Sequence, residues 1–142
     1  MTDPDLIAKK LALIETSVRE LETLARPADI ESDIREERFV EHTLQIAIQA
    51  ALDVASHVVS DERLGEPSTN RELFELMKRA GWLPDELVLR LKDMAGFRNI
   101  LVHGYEVVDV AIVRDVVESH LGDLLRYVEI IRSKLEQEEE SS

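Results

Sequence analysis

The sequence has no cysteine, few aromatic residues and no long apolar run, and each absence narrows what the chain can be. Without cysteine there are no disulfide bonds and no thiolate metal ligands, which fits a reducing compartment. Aromatic residues are 4% of the 142 residues, so a core must be built from Leu, Ile, Val and Ala. No apolar stretch approaches the length that spans a membrane, and the acidic, polar N-terminus is unlike a signal peptide. We therefore expect a cytoplasmic protein without membrane association.

Positive charge is also scarce. The chain has 17 Lys and Arg residues against 30 Asp and Glu residues, which gives a net charge of −13. Nonspecific binding of nucleic acid needs a cationic surface, so the whole chain is poorly suited to it. A local patch could still bind an anion, because six cations lie in the middle third: Arg71, Lys78, Arg79, Arg90, Lys92 and Arg98. The acidic surface could equally serve a basic protein partner or simply keep the protein soluble.

Apolar residues recur at helical spacing along most of the chain, and cap and turn residues mark where the helices begin and end. The pattern predicts four main helices beginning near Pro4, Asp33, Pro84 and Asp109, and one short helix between Thr69 and Gly81. These helices predict an all-α, up-and-down bundle. We expect one domain over residues 1–142, in which the charged tail 136–142 is frayed and solvated.

The segment Arg98-Asn99-Ile100-Leu101-Val102-His103-Gly104-Tyr105 concentrates reactive side chains near the end of the fourth main helix. Arg98 falls on the apolar stripe that should face other helices. A guanidinium cannot lose its proton to escape burial, so Arg98 needs an anionic partner, or it lines a cavity or a subunit interface. Its planar fork suits a carboxylate or the oxygens of a phosphate.

His103 follows Arg98 by five residues, which is about 140° around a helix, so the two side chains do not share a face. Gly104 can end the helix, so that His103 turns back toward Arg98, or the two can meet their counterparts across a dimer axis. An imidazole transfers protons near pH 7, and an arginine stabilises charge on a phosphoryl group. Such a pair is sufficient to cleave RNA without a metal, with the ribose 2′-hydroxyl as nucleophile.

The run from Met94 to Tyr105 resembles the signature of HEPN-domain proteins, in particular the HepT-like toxins. That signature is an Arg, a polar residue, three more residues, a His, any residue and a Tyr. The segment from Arg38 to His57 is similar to the long second helix of the same family, and the resemblance extends roughly over residues 6–135.

The resemblance implies a metal-independent endoribonuclease that works as a homodimer and needs no cofactor. Arg98 and His103 would be its catalytic residues, and Asn99 would support them. The resemblance also implies a cognate MNT-type nucleotidyltransferase antitoxin, which would adenylylate Tyr105 and so block the RNA site.

Two other functions remain open for the same chain. HEPN-like domains can be noncatalytic modules that bind a nucleotide or a protein partner, and the net charge favours that reading. A purely structural adaptor, in which Arg98 pairs with an acid across a dimer seam, is the other alternative.

Several further residues carry structural expectations. A second Arg and His, Arg114 and His120, lie close in sequence but lack the amide and the Tyr. Asp53 and His57 are four residues apart on a helix and could bond to each other, yet further ligands for a metal are missing. Gly96 lies within a helix, where it costs about 1 kcal/mol relative to Ala, so we expect a close helix contact there. Trp82 is expected to seal one end of the bundle rather than to stack on RNA.

Overall fold

Six α-helices make up most of the described chain. The structure is a computed structural model that describes residues 3–101 and 109–140 in full, and only the backbone of residues 102 and 141. In chain order the helices are α1 (Pro4–Leu24), α2 (Ile34–Asp61), α3 (Asn70–Arg79), α4 (Asp85–Val102), α5 (Val110–Ser119) and α6 (Leu121–Ser141), with a single 3-10 turn at Pro27–Asp29. Within these residues there is no β-strand, and no helix is long and apolar enough to cross a membrane. The predicted all-α class is confirmed.

The predicted helix starts are confirmed by side-chain caps. Asp3 accepts hydrogen bonds from two backbone N–H groups of the first turn of α1, and Asp33 accepts one at the start of α2. At α3 the Oγ1 of Thr69 accepts from the backbone N of Glu72 at 3.2 Å. Gly81, which follows α3, has a φ of +83°, a conformation that favours glycine, so it ends this segment as predicted.

Asp33 with Glu36, and Thr69 with Glu72, have the sequence spacing of a capping box, but neither glutamate completes one. The carboxylate of Glu36 does not return to Asp33 but accepts from the backbone N of Arg26 at 3.0 Å. The carboxylate of Glu72 likewise accepts from the backbone N of Ser68 at 3.1 Å. Both glutamates therefore bind the connection that precedes their own helix.

The last predicted helix is two helices in the structure, which makes six helices instead of four plus a short one. The backbone of His120 leaves helical geometry at φ −122° and ψ 0°. Its N–H still donates to the carbonyl of Val116 at 2.9 Å, and its own carbonyl accepts from the N–H of Asp123 at 3.2 Å. Periodicity missed the break because the buried stripe continues across it through Val113, Val117, Leu121, Leu124 and Val128. Beyond Leu135, α6 continues as an exposed helix, so fraying of the tail stays a prediction.

Helix α2 is the central element, and it packs against each of the other helices. Its small residues allow close approach, since Ala51 accepts a 2.9 Å hydrogen bond through its carbonyl from the hydroxyl of Tyr127 on α6. The fully buried ring of Tyr127 meets Phe74 of α3 edge to face, with centroids 5.9 Å apart. Trp82 is also buried, just before α4. The C-terminal end of α4 lies beside the first half of α2, where Leu101 lines a groove together with α2 residues.

Candidate active site at the end of helix α4

Arg98 lies on the inner face of α4, in line with the buried residues Leu87, Leu91 and Met94, as the sequence predicts. Its side chain is partly buried, and its Nε is buried without a hydrogen-bond partner. Among the described residues, no carboxylate forms an ion pair with it. A buried unpaired donor costs about 1–3 kcal/mol, and more when the group is charged. The fold therefore holds a partly buried guanidinium whose charge has no anionic partner among the described residues.

Asn99 makes the one hydrogen bond that Arg98 forms with described residues. The Nη1 of Arg98 donates to the Oδ1 of Asn99 at 3.4 Å, which is a long and weak bond. Asn99 is exposed, so its amide contacts the guanidinium from the solvent side. The amide is neutral and leaves the positive charge of Arg98 uncompensated. The other predicted site residues, His103 and Tyr105, lie outside the described residues, as does Gly104.

An open groove lies beside this end of α4. It encloses about 530 Å³ between α2 and α4. Its lining is formed by Arg38, Phe39, Glu41, His42 and Gln45 of α2 and by Leu101 of α4. Leu101 follows Arg98 by three residues, so the groove begins within about one helical turn of the unpaired guanidinium.

The sequence did not lead us to predict a site at the groove residues, although their spacing does indicate a shared polar face. Arg38, Glu41, His42 and Gln45 follow the spacing i, i+3, i+4, i+7, which places them on one face of α2. Burial, and then the nearby carboxylate of Glu37, raise the pKa of Glu41. The charge of Arg38 acts in the opposite direction and lowers it, so the groove lining carries charges of both signs.

The second Arg and His of the chain have structural roles. The Nε of Arg114 donates to the carbonyl of Pro27 at 3.2 Å, and its guanidinium also binds Glu31. His120 contacts two carboxylates, with its Nε2 at 3.1 Å from Asp115 and its Nδ1 at 3.6 Å from Asp123. This pair holds α5 against its neighbours.

A smaller cavity of about 210 Å³ lies beside His120, between α4, α5 and α6. Its rim carries Arg90, Asp93, Asp115 and Asp123, and Arg90 pairs with Asp123 at 3.2 Å. Negative side chains dominate this rim, so it is a poor site for a phosphate. It also does not include Arg98.

Most cations of the expected basic patch contact an acidic side chain. Glu75 contacts three of its cations, with Lys92 at 2.6 Å, Lys78 at 3.5 Å and Arg79 at 3.8 Å. The hydrogen bond from Lys92 is the main cause that lowers the pKa of Glu75. Arg90 pairs with Asp123, whereas Arg98, which is partly buried, and Arg71, which is exposed, form no ion pair with the described residues.

Two further expectations are wrong for the described residues. Asp53 bonds to Lys10 at 3.0 Å and to Gln49 at 2.9 Å, and not to His57. A Cβ added at Gly96 would meet no heavy atom within 4 Å, so packing inside the chain does not require this glycine. The described part of the chain also contains no group of three or more side chains placed to hold a metal ion.

Comparison with solved structures identifies the class of protein. The chain is similar to the tri-AMPylated HEPN toxin of Shewanella oneidensis in complex with its MNT antitoxin, with a TM-score of 0.85 and 29% identity over 92% of this chain and 99% of that chain. The bundle is therefore that of a HEPN toxin, and the match covers nearly the full length of both chains.

The family follows from sequence comparison. The model for ribonuclease HepT-like proteins matches residues 14–131, so the chain belongs to the ribonuclease HepT-like family. It is 29% identical to the mRNA nuclease HepT of Shewanella oneidensis over 92% of this chain and 98% of that protein. It is 30% identical to the tRNA nuclease HepT of Aphanizomenon flos-aquae over 94% of this chain and 92% of that protein. The class expected from the motif, a HepT-like ribonuclease toxin, is confirmed at the level of the family.

Proposed function

We propose that this protein is the toxin of a toxin–antitoxin pair, a metal-independent endoribonuclease that acts on RNA in the cytoplasm. The observation that carries the proposal is the buried, unpaired Nε of Arg98 beside an open groove. A guanidinium held without an anion is ready to bind a phosphate, and its fork matches two phosphate oxygens. Family membership supports the choice of RNA as the substrate.

In the proposed reaction, His103 accepts the proton of a ribose 2′-hydroxyl, and the oxygen attacks the adjacent phosphorus. The bond from phosphorus to the 5′ oxygen breaks, and that oxygen leaves with a proton. The products are a 2′,3′-cyclic phosphate and a 5′-hydroxyl end. Arg98 stabilises the negative charge that grows on the phosphoryl oxygens, and Asn99 supports Arg98.

The proposal includes a homodimer, since one imidazole takes a proton and a second, from the other copy, can supply one. The outer face of α4 supports it, because Leu89 and Ile100 are 65% and 53% exposed and Gly96 between them is unobstructed. A helix with apolar residues on both faces is expected to be buried on both. This face lies opposite Arg98 on the helix, so a contact here can hold two copies together without covering that guanidinium, but it does not by itself bring the two active sites together.

An antitoxin of the MNT nucleotidyltransferase type is the proposed partner. It would transfer AMP from ATP to the hydroxyl of Tyr105, with release of pyrophosphate. The added nucleotide would occupy the site next to Arg98 and exclude RNA. The Shewanella oneidensis toxin, which was seen AMPylated and bound to an MNT antitoxin, supports this part.

The test is cleavage of labelled RNA by purified protein in EDTA. We expect the wild type to cut, and Arg98→Ala and His103→Ala to lose about a hundredfold or more of the rate while remaining folded. Retained cleavage by either folded variant would reject the mechanism. Prior treatment with the partner and ATP should stop cleavage and add the mass of one or more AMP groups at Tyr105.

Mixing the two inactive variants tests the dimer. If each active site takes Arg98 from one copy and His103 from the other, a mixture of Arg98→Ala and His103→Ala chains should regain part of the activity. If both residues act within one chain, mixing should restore none. Sedimentation of the wild type and of Leu89→Glu, which introduces a charge into the α4 face, reports whether this face joins the copies.

A noncatalytic module that binds a nucleotide or a protein is the alternative function. The net charge of −13 and the engaged basic residues favour it. Wild-type protein that binds its partner or a nucleotide, but leaves RNA intact under all conditions, would support this function. An adjacent reading frame for a small nucleotidyltransferase would favour the toxin.

A further inference from the structure

The groove between α2 and α4 has side chains that are not used elsewhere in the described structure. Arg38 and His42 are exposed, and Gln45 is partly exposed. Within residues 3–101 and 109–140, none of the three forms a hydrogen bond or an ion pair. Most other polar residues beside the helix contacts are paired, as Asp53 and Gln49 are further along the same helix. Arg38 acts only through its charge on the neighbouring Glu41, so among the described residues this helix face offers a guanidinium, an imidazole and an amide that no hydrogen bond uses.

The groove also has apolar side chains in its lining. Phe39 is only partly buried, and Leu101 faces it from α4. Unpaired RNA bases are bound in proteins by stacking on aromatic rings and by hydrogen bonds to the base edges, for which an amide supplies both a donor and an acceptor. Phe39 and Gln45 supply these two kinds of contact in one groove. Its volume of about 530 Å³ lies in the range of sites for molecules of nucleotide size.

The position of the groove relative to Arg98 indicates how an RNA strand would lie in it. Leu101 lies about 4.5 Å along the axis of α4 from Arg98, so a base in the groove would be attached to a phosphate near the guanidinium. Arg38 is on the same face of α2 and can contact a neighbouring phosphate. Glu41 is the one acid among the described lining residues, and it lies beside Arg38, whose charge opposes its own.

We propose that this groove is the base-binding subsite of the nuclease: Phe39 stacks on one unpaired base next to the cut phosphate, and Gln45 and His42 bond to its edge. The inference rests on the proposed ribonuclease function, and it adds that the substrate is single-stranded at this position. It also identifies α2 residues that choose the cut position, apart from the proposed catalytic residues Arg98 and His103.

The variants must separate stacking from folding. Phe39 also packs against the core, so Phe39→Ala could simply weaken the bundle. Phe39→Leu keeps an apolar side chain of similar reach and removes the aromatic face. Gln45→Ala and His42→Ala remove edge contacts from partly or fully exposed positions. Gln49→Ala and His57→Ala are the matched controls, because they lie on the same helix outside the groove lining.

We expect Phe39→Leu and Gln45→Ala to raise the KM for a single-stranded RNA by about tenfold, with kcat within about twofold of wild type. The controls should leave both constants unchanged. RNAs with one abasic nucleotide at successive positions locate the bound base. At the position next to the cut, the abasic RNA should bind wild type and Phe39→Leu equally, since there is no base to stack.

The outcomes distinguish this inference from the function on which it rests. If the wild type cleaves RNA and the groove variants keep its KM and base preference, the subsite is rejected while the nuclease stands. If these variants instead lose binding to the antitoxin with an unchanged KM for RNA, the groove is a protein-binding surface and the inference is also rejected. If the wild type does not cleave RNA at all, the proposed function itself fails. Binding can also be measured without cleavage in the inactive Arg98→Ala chain. Adding Phe39→Leu to that chain should weaken its affinity for the RNA by the same factor of about ten.

Discussion

Arg98, which is five residues before His103, and Arg114, which is six residues before His120, differ in what the fold does with the arginine. Arg114 donates to the carbonyl of Pro27 and binds Glu31, so its charge and its donors are used to join α5 to the connection before α2. Among the residues that the structure describes, Arg98 has one long bond, to Asn99, and its Nε is buried without a partner. Sequence spacing alone does not separate these two arginines. The difference lies in whether the surrounding structure supplies an anion.

The largest expected effect is on catalysis. Arg98→Ala should reduce RNA cleavage by about a hundredfold or more, because it removes the charge that stabilises the phosphoryl group. Arg114→Ala should keep cleavage within about twofold of wild type. Initial rates on labelled RNA in EDTA measure both. Equal losses of cleavage rate in the two variants would contradict the assignment of Arg98 as functional and Arg114 as structural.

The two tyrosines extend the comparison to modification. Tyr127 is fully buried, its hydroxyl donates to Ala51, and burial raises its pKa well above the usual range. An AMP donor cannot reach that oxygen in the folded chain. Tyr105→Phe should therefore abolish adenylylation by the partner and ATP, and Tyr127→Phe should still be modified. Intact-mass and peptide mass spectrometry distinguish the two results.

Stability should change in the opposite order to catalysis. Arg114→Ala should lower the free energy of unfolding by about 1 kcal/mol, since a charge-assisted bond at a partly exposed site is lost. Arg98→Ala should leave stability unchanged or raise it, because it removes a buried donor that has no partner. Urea unfolding at pH 7 gives both values. A marked destabilisation by Arg98→Ala would mean that this residue has a structural partner.

The smallest effect is expected at a third arginine, Arg132, which binds Glu15 between α6 and α1. The hydrogen bond from Arg132 lowers the pKa of Glu15 below its usual 4.5. A lowered pKa in the folded state contributes stability above 4.5 that is lost as the pH falls through the folded value. Arg132→Ala should therefore weaken the protein slightly at pH 7, and the deficit relative to wild type should shrink toward pH 3. Urea midpoints at several pH values test this, and a constant difference would contradict it.

The helices and the position of Arg98 could be predicted because both follow from local rules. Caps such as Asp3 and Thr69 satisfy backbone donors next to them in sequence, and the apolar stripe of α4 places Arg98 inward. The break at His120 was not predictable in this way, because the buried stripe runs through it unchanged. Gly96 was misread, since its environment depends on what packs outside α4 rather than on α4 itself.

The groove shows a second limit of sequence reasoning. Arg38, His42 and Gln45 look like an ordinary solvated helix face, and they become a site only when the end of α4 lies beside them. That arrangement depends on contacts between α2 and α4 that are distant in sequence. The roles of Asn99 toward Arg98 and of Glu75 toward the basic patch also required the fold. The roles of His103 and Tyr105 stay predictions.

The unpartnered Nε of Arg98 has a thermodynamic consequence that is independent of any nuclease assay. An oxyanion that binds the folded chain at this guanidinium, and the unfolded chain less well, must raise the midpoint of thermal unfolding in proportion to its occupancy. Inorganic phosphate should therefore shift the melting curve of the wild type more than that of the Arg98→Ala chain. Heat stability in phosphate, compared with chloride at equal ionic strength, thus reports whether the guanidinium is open to an oxyanion.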